Sequence, residues 1–187
     1  MNRVNLLIIN FSLISLFLLS FHSCKKDEGG ASVTNPYFYL NSLEADEITY
    51  TDSNGNLIFT IDSTDWTDLD IFSHSIGTLF SFNDTINYNN VDTSNITIYP
   101  AFPNPTYDPL FFACTSSHVT VIKIVLVDSA QSVLIRYAKK IYPGFNTIEF
   151  SIQDSTLPPN SKYRMLYRFY HAPNQYYKSG HGDILKQ

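Results

Sequence analysis

Tyr163-Arg164-Met165-Leu166-Tyr167-Arg168-Phe169-Tyr170 is the stretch on which the fold turns. Tyr163, Met165, Tyr167 and Phe169 alternate with Arg164, Leu166, Arg168 and Tyr170, a period of two that places one set on each face of a pleated strand. The same period recurs upstream. Ile148, Phe150 and Ile152 alternate with Glu149 and Ser151, and Val133, Ile135 and Tyr137 repeat the pattern. His118 to Val127 is nearly continuously apolar, with Thr120 and Lys123 out of phase. Such a run predicts a strand that is covered on both faces or carries a bulge. Turn signals fall between these runs at Pro143-Gly144, Pro158-Pro159-Asn160, Pro173-Asn174 and Gly180-His181-Gly182. Six or seven short strands in roughly ninety residues predict an all-β antiparallel sandwich over residues 96–187.

Upstream of that region the signal weakens. Residues 36–95 are rich in Asn, Asp, Ser and Thr. Ile48-Thr49-Tyr50 and Leu57-Ile58-Phe59-Thr60-Ile61 are strand candidates around Asp52-Ser53-Asn54-Gly55-Asn56, whose Asn-Gly pair favours a tight turn. Trp66, Leu69, Phe72, Ile76 and Phe80 have a spacing compatible with a short helix, against which Gly77 and the β-branched content argue. The expectation is a small irregular hairpin segment that packs its aromatics onto the sandwich.

Composition limits the function classes. The chain has 187 residues, 44% hydrophobic and 16% charged, which is enough apolar material for a core and too little charge for a disordered chain. A net charge of −5 argues against nucleic acid as a partner, because phosphate contacts need clustered Lys and Arg. Two cysteines cannot build a disulfide scaffold.

The amino terminus reads as an address. Arg3 is the only charged residue before Lys25, and Leu6 to Phe21 is an apolar run of sixteen residues. Spanning a hydrocarbon core takes ~20 residues, so a secretory signal fits better than a transmembrane helix. Leu18-Leu19-Ser20-Phe21-His22-Ser23-Cys24-Lys25-Lys26-Asp27-Glu28 resembles the lipobox and mature start of a bacterial lipoprotein. The resemblance departs from the family pattern at Phe21 and His22. It implies a signal peptide over residues 1–23 and fatty acylation (diacylglycerol on sulfur, an acyl chain such as palmitate on the amine) at Cys24. An uncleaved anchor and simple secretion are the competing readings. Two or more chains, at ~0.8 kcal/mol per buried CH₂, hold a protein stably at a membrane. Lys25 stands where Asp often marks inner-membrane retention in such proteins, so the resemblance implies the outer membrane. The Lys-Lys-Asp-Glu tether also resembles export tags of surface-exposed lipoproteins. Residues 24–35 have linker composition, and Lys25 to Asn35 spans roughly 35 Å when extended.

A second resemblance covers residues 96–187. Tyr99-Pro100-Ala101-Phe102-Pro103-Asn104-Pro105, Val121 to Asp128, Leu157-Pro158-Pro159-Asn160 to Tyr163, and Gly180-His181-Gly182-Asp183-Ile184 are similar to the immunoglobulin-like sandwich shared by the flagellar hook-cap protein and the sorting domains of type IX secretion. Two turns lack the usual Gly and have Ala130-Gln131 and Asn160-Ser161 instead, where Asn tolerates the left-handed backbone. With a lipid already implied at Cys24, the sandwich reads as the body of the protein rather than a cleaved sorting signal.

Candidate chemistry is sparse. Asp62, Asp65, Asp68 and Asp70 surround Trp66 and read as a solvated acidic loop. The Asp52 loop fails as an EF-hand, which needs Gly where Leu57 stands. His74, His118, His171 and His181 show no zinc-type spacing, although His171 and His181 flank a turn that invites adjacent strands. There is no Gly-x-Ser-x-Gly elbow and no glycine-rich phosphate loop. Cys114 sits in an apolar strand-like run and reads as a buried thiol. Asp62-Ser63-Thr64, Asp84-Thr85-Ile86, Asp128-Ser129-Ala130 and Asp154-Ser155-Thr156 resemble an O-glycosylation pattern of exported proteins. Trp66, Tyr176 and Tyr177, with Tyr167 and Tyr170, are aromatics that either fill the core or form a platform for a glycan. The expectation is a non-catalytic structural or partner-binding module needing no cofactor and no metal. Its partners are the membrane, through lipid, and an envelope protein; the alternative is carbohydrate binding through exposed aromatics.

Overall fold

Alternation becomes register in the computed structural model, which describes residues 38–59, 62–155 and 157–187. The elements in chain order are β1 (Phe38–Leu40), β2 (Asp70–Phe72), a short helix α1 (His74–Thr78), β3 (Ile96–Phe102), β4 (Leu110–Ser116), β5 (Thr120–Asp128), β6 (Val133–Ile141), β7 (Gly144–Phe150), β8 (Ser161–Ala172) and β9 (Gln175–Lys186). Strands β3-β4-β7 form one antiparallel sheet and β6-β5-β8-β9 another. The chain crosses between them after β4, β6 and β7, which is the connectivity of an immunoglobulin-like β-sandwich. The signal segment and tether, Cys24 included, lie outside the described residues.

Between the sheets, Ile122, Ile124 and Leu126 of β5 and Met165, Tyr167 and Phe169 of β8 pack with Leu110, Phe112, Ile148 and Phe150. The apolar run of β5 has both explanations that its sequence offered. Its other face, with Val125 and Val127 beside Leu166 of β8, is covered by Leu40, Leu43, Phe72, Ile76 and Phe80 from the amino-terminal segment. Its pairing with β6 also shifts register between Leu126 and Val127. Both turns that lack glycine adopt the left-handed backbone, with Gln131 at φ 64° and Asn160 at φ 56°.

The expected hairpin is reduced to its turn. Asp52 accepts from the backbone N–H of Asn54 and Asn56 and from Asn56 Nδ2, and Thr51 bridges Leu57. Strands do not extend from it because the Thr51 backbone exchanges hydrogen bonds with Asn104, from Thr51 N to Asn104 O (2.8 Å) and from Asn104 N to Thr51 O (3.2 Å). Asn104 itself is fully buried, donating to the Thr49 and Asp183 carbonyls and accepting from Leu185 N–H. The helical spacing across Trp66 to Phe80, against which Gly77 and the β-branched content argue, yields only α1, where the Ser73 side chain caps Ile76 N–H. The residues before it turn and bend instead of forming helix, because the hydrogen bonds of Trp66 and Leu69 go to β9. Trp66 N–H donates to His181 O at 2.7 Å, and Leu69 bridges Ser179 in parallel.

That docking requires two glycines. A Cβ on Gly180 would lie 1.8 Å from the Thr67 carbonyl oxygen, and one on Gly182 would lie 2.3 Å from Trp66 Cε2. Trp66 takes φ 56°, a left-handed conformation that costs a bulky residue on the order of 1–3 kcal/mol. The strain turns its indole inward over Gly182 and against Tyr167, while its neighbour Asp65 contacts β9 from the other side. Gly182→Ala is therefore expected to unseat Trp66, the sole tryptophan of the chain, and to destabilise the fold by roughly 3 kcal/mol or more. Trp66 fluorescence checks this: a red-shifted emission and a lowered Tm are expected, and an unchanged spectrum and Tm would refute the packing argument.

Candidate functional site

The outer face of β8 and β9 collects most of the buried ionisable groups. Register sets Arg164 opposite Asp183, Leu166 opposite His181 and Arg168 opposite Ser179. Arg164 grips Asp183 with two parallel bonds, Nε to Oδ1 at 2.7 Å and Nη2 to Oδ2 at 2.6 Å, the bidentate geometry that favours Arg over Lys. Nη2 also meets Asp46 Oδ1 at 2.9 Å, and Asp46 N–H donates to Asp183 Oδ2 at 2.7 Å. Beside this pair His181 stands between two carboxylates. Its Nδ1 is 2.5 Å from Asp70 Oδ2 and its Nε2 is 3.5 Å from Asp65 Oδ1. Asp65 Oδ2 accepts from Asp183 N–H, and the Ser179 hydroxyl donates to the Asp70 carbonyl.

All five principal groups are sealed. Asp65, Asp70, Arg164, His181 and Asp183 each have 5% exposure or less. Burial, and next the charge of Asp183, push the Asp65 carboxyl up to about 8. Burial also raises Asp70, against the pull of His181, and Asp183, against the pull of Arg164. A histidine between two carboxylates has the components of a proton relay. The cluster ties the segment Asp65–Asp70 to the sheet, and breaking one member of such a buried pair typically costs about 3–5 kcal/mol.

The aromatics that the sequence leaves open between core and platform divide by position. Trp66 is core, 6% exposed, because Gly182 leaves a seat for its ring. Tyr177 is half-buried, its hydroxyl 2.8 Å from Thr120 Oγ1 and its ring against His171. Tyr176 is exposed and covers Arg168, with the guanidinium carbon 3.9 Å from its ring centroid. The acidic loop is corrected as well: Asp65 and Asp70 are buried, whereas Asp62 and Asp68 are half-buried, Asp68 pairing with Lys178. His171 does not meet His181, since its Nε2 faces Gln175. Cys114 is fully buried, and burial pushes its thiol up to about 12, which suits an inert core residue. Among the described residues no group of three or more His, Cys, Asp or Glu is arranged to hold a metal ion. Ser63, Thr85, Ser129 and Ser155 are all exposed. Sequence reasoning did not find the charge cluster. Its trace is the alternation Gly180-His181-Gly182-Asp183, in which side-chain-free positions face the core and ionisable ones face a covering segment.

No family model matches the chain, and no curated protein matches it. Among solved structures it is similar to the sensor domain of the anti-sigma factor RsgI4 in Pseudobacteroides cellulosolvens, at 18% identity and a TM-score of 0.34, over 51% of this chain and 96% of that one.

The raised carboxyls set a pH dependence. A group that binds its proton more tightly when folded contributes stability that is complete below its unfolded pKa and is lost as pH rises through the folded one. For Asp65 that window runs from about 4 to about 8. Thermal stability is expected to fall across this range, and Asp65→Asn, which stays neutral, should flatten the fall. Calorimetric Tm against pH reads both; parallel profiles for the two proteins would refute the role of Asp65.

Proposed function

We propose that the chain is a lipid-anchored outer-membrane lipoprotein whose folded part is a non-catalytic, partner-binding sandwich. The observation that carries the binding reading is a contrast between surfaces. The ionisable groups with components of a relay are sealed under the amino-terminal segment, while the outer face of the three-stranded sheet leaves Tyr99 and Phe145 exposed and 5.8 Å apart. Exposed paired aromatics on a sheet face are interaction surface. The anchoring reading is supported by the apolar leader that ends at Cys24, followed by Lys25-Lys26-Asp27-Glu28. Among the described residues no helix is long and apolar enough to cross a membrane.

Carbohydrate binding is a second reading, and the same face favours it. Thr97 and Thr147 stand exposed beside the two rings, so a sugar can stack its CH face on an aromatic and hydrogen-bond at its rim.

Two experiments test these readings. Mass spectrometry of the native amino terminus is expected to find acyl groups on Cys24, and Cys24→Ala should move the chain from the membrane to the soluble fraction. An unacylated terminus, or a Cys24→Ala chain still held in membranes, overturns the anchor. On a glycan array, specific binding that drops at least roughly tenfold in Tyr99→Ala and Phe145→Ala selects the carbohydrate reading; no binding leaves a protein partner.

A further inference from the structure

The outer face of the four-stranded sheet buries three cations, and carboxylates reach two of them. Lys123 meets Asp84 at 2.7 Å, and Arg164 meets Asp183 and Asp46. Arg168, 7% exposed, has no carboxylate partner among the described residues. Its Nη1 donates to the Gly77 carbonyl at 3.3 Å, and its Nε is buried without an acceptor. A side-chain hydrogen bond joins it to the Tyr170 hydroxyl, and aromatic rings wall it, with Tyr176, Phe80 and Phe72 centroids 3.9, 4.9 and 5.0 Å from the guanidinium carbon. Ring faces attract a cation but do not accept its N–H bonds as an oxyanion does. The neighbouring Tyr170 does not supply the missing charge, because burial pushes its hydroxyl up despite the pull of Arg168, so it stays a neutral phenol.

Arg168 lines a cleft of about 470 Å³ beside α1, together with Ser73, His74, Gly77, Ser81 and Tyr176. Gly77 stands directly beside Nη2, where a side-chain carbon would lie 3.2 Å away and crowd the guanidinium. We propose that this cleft binds the carboxylate of a small ligand, with Arg168 as its charge partner and the Ser73 and Ser81 hydroxyls at its rim. A single uncompensated guanidinium suits a planar monoanion. A phosphate dianion asks for a second cation, and the two other buried cations of this face are already paired. The aromatic wall accommodates the body that bears the carboxylate, whether a sugar acid or a peptide terminus. This assignment does not rest on the lipid anchor or on the Tyr99 face, so it stands or fails separately.

An NMR titration of the full chain, following the Arg168 Nε–H resonance, tests it with glucuronate, acetyl-alanyl-alanine, the C-terminal amide of that dipeptide, and inorganic phosphate. At least one of the two carboxylates is expected to shift the resonance saturably, the amide to leave it in place, and phosphate to bind more weakly; which carboxylate responds names the source. Arg168→Gln should weaken binding roughly tenfold or more. Gly77→Ala, which favours the helix but intrudes on Nη2, should weaken it with the fold intact, so the test survives if Arg168→Gln does not fold. The proposal is overturned if neither carboxylate moves the resonance, if the amide acts equally, if phosphate binds more tightly, or if the folded Arg168→Gln or Gly77→Ala protein keeps full affinity.

Discussion

The docking of Asp65–Asp70 along β9 is the constraint from which the rest of the covering layer follows. One backbone bond, Trp66 N–H to His181 O, sets the register between a segment and a strand more than a hundred residues apart. The left-handed turn at Trp66 then sends its indole inward, and Asp65 and Asp70 close on His181 from the opposite side. Once Asp70 is placed, β2 lies parallel to β1, α1 follows, and Phe72, Ile76 and Phe80 close over Val125, Val127 and Leu166. The outer face of this sheet thereby becomes a second core.

Buried charge in that layer selects an arrangement more than it adds stability. Moving Arg164 and Asp183 out of water costs several kcal/mol per ion, which their two short bonds and the Asp46 contacts offset. A shifted segment takes Asp70 and Asp65 away from His181 and from the Asp183 N–H, and this penalty separates the observed docking from alternatives one residue away. Cation pairing is uneven across the face, and the Arg168 cleft is where it is incomplete.

Legibility in the sequence tracks the range over which each residue's partner lies. The strands β6 to β8 announce themselves because alternation is local: Tyr163, Met165, Tyr167 and Phe169 face the core as their period requires. The amino-terminal half carries no such period, because its backbone partners come from elsewhere. Thr51 turns to Asn104 and Trp66 to His181, and neither pairing leaves a trace in neighbouring residues. For the same reason Asp65 and Asp70 read as surface residues. Their burial is decided by His181, 111 positions from Asp70, and by Gly180 and Gly182, which make room for the chain that carries them. The sequence leaves Trp66 open between core and platform, and only the absent side chain at Gly182 opposite it says that the position is inside.

The covering segment also settles the fate of an open sheet border. Strand β9 ends its sheet, and an uncovered border of that length offers a row of free amides and carbonyls to any second chain. Here Trp66 and Leu69 occupy part of that row. The opposite border, β6, carries Arg136, Lys139 and Lys140, and β3 carries Pro100 and a register shift between Tyr99 and Phe102. At these three borders, copies crowded together at high local density meet charge, a missing donor or an occupied ladder instead of a template.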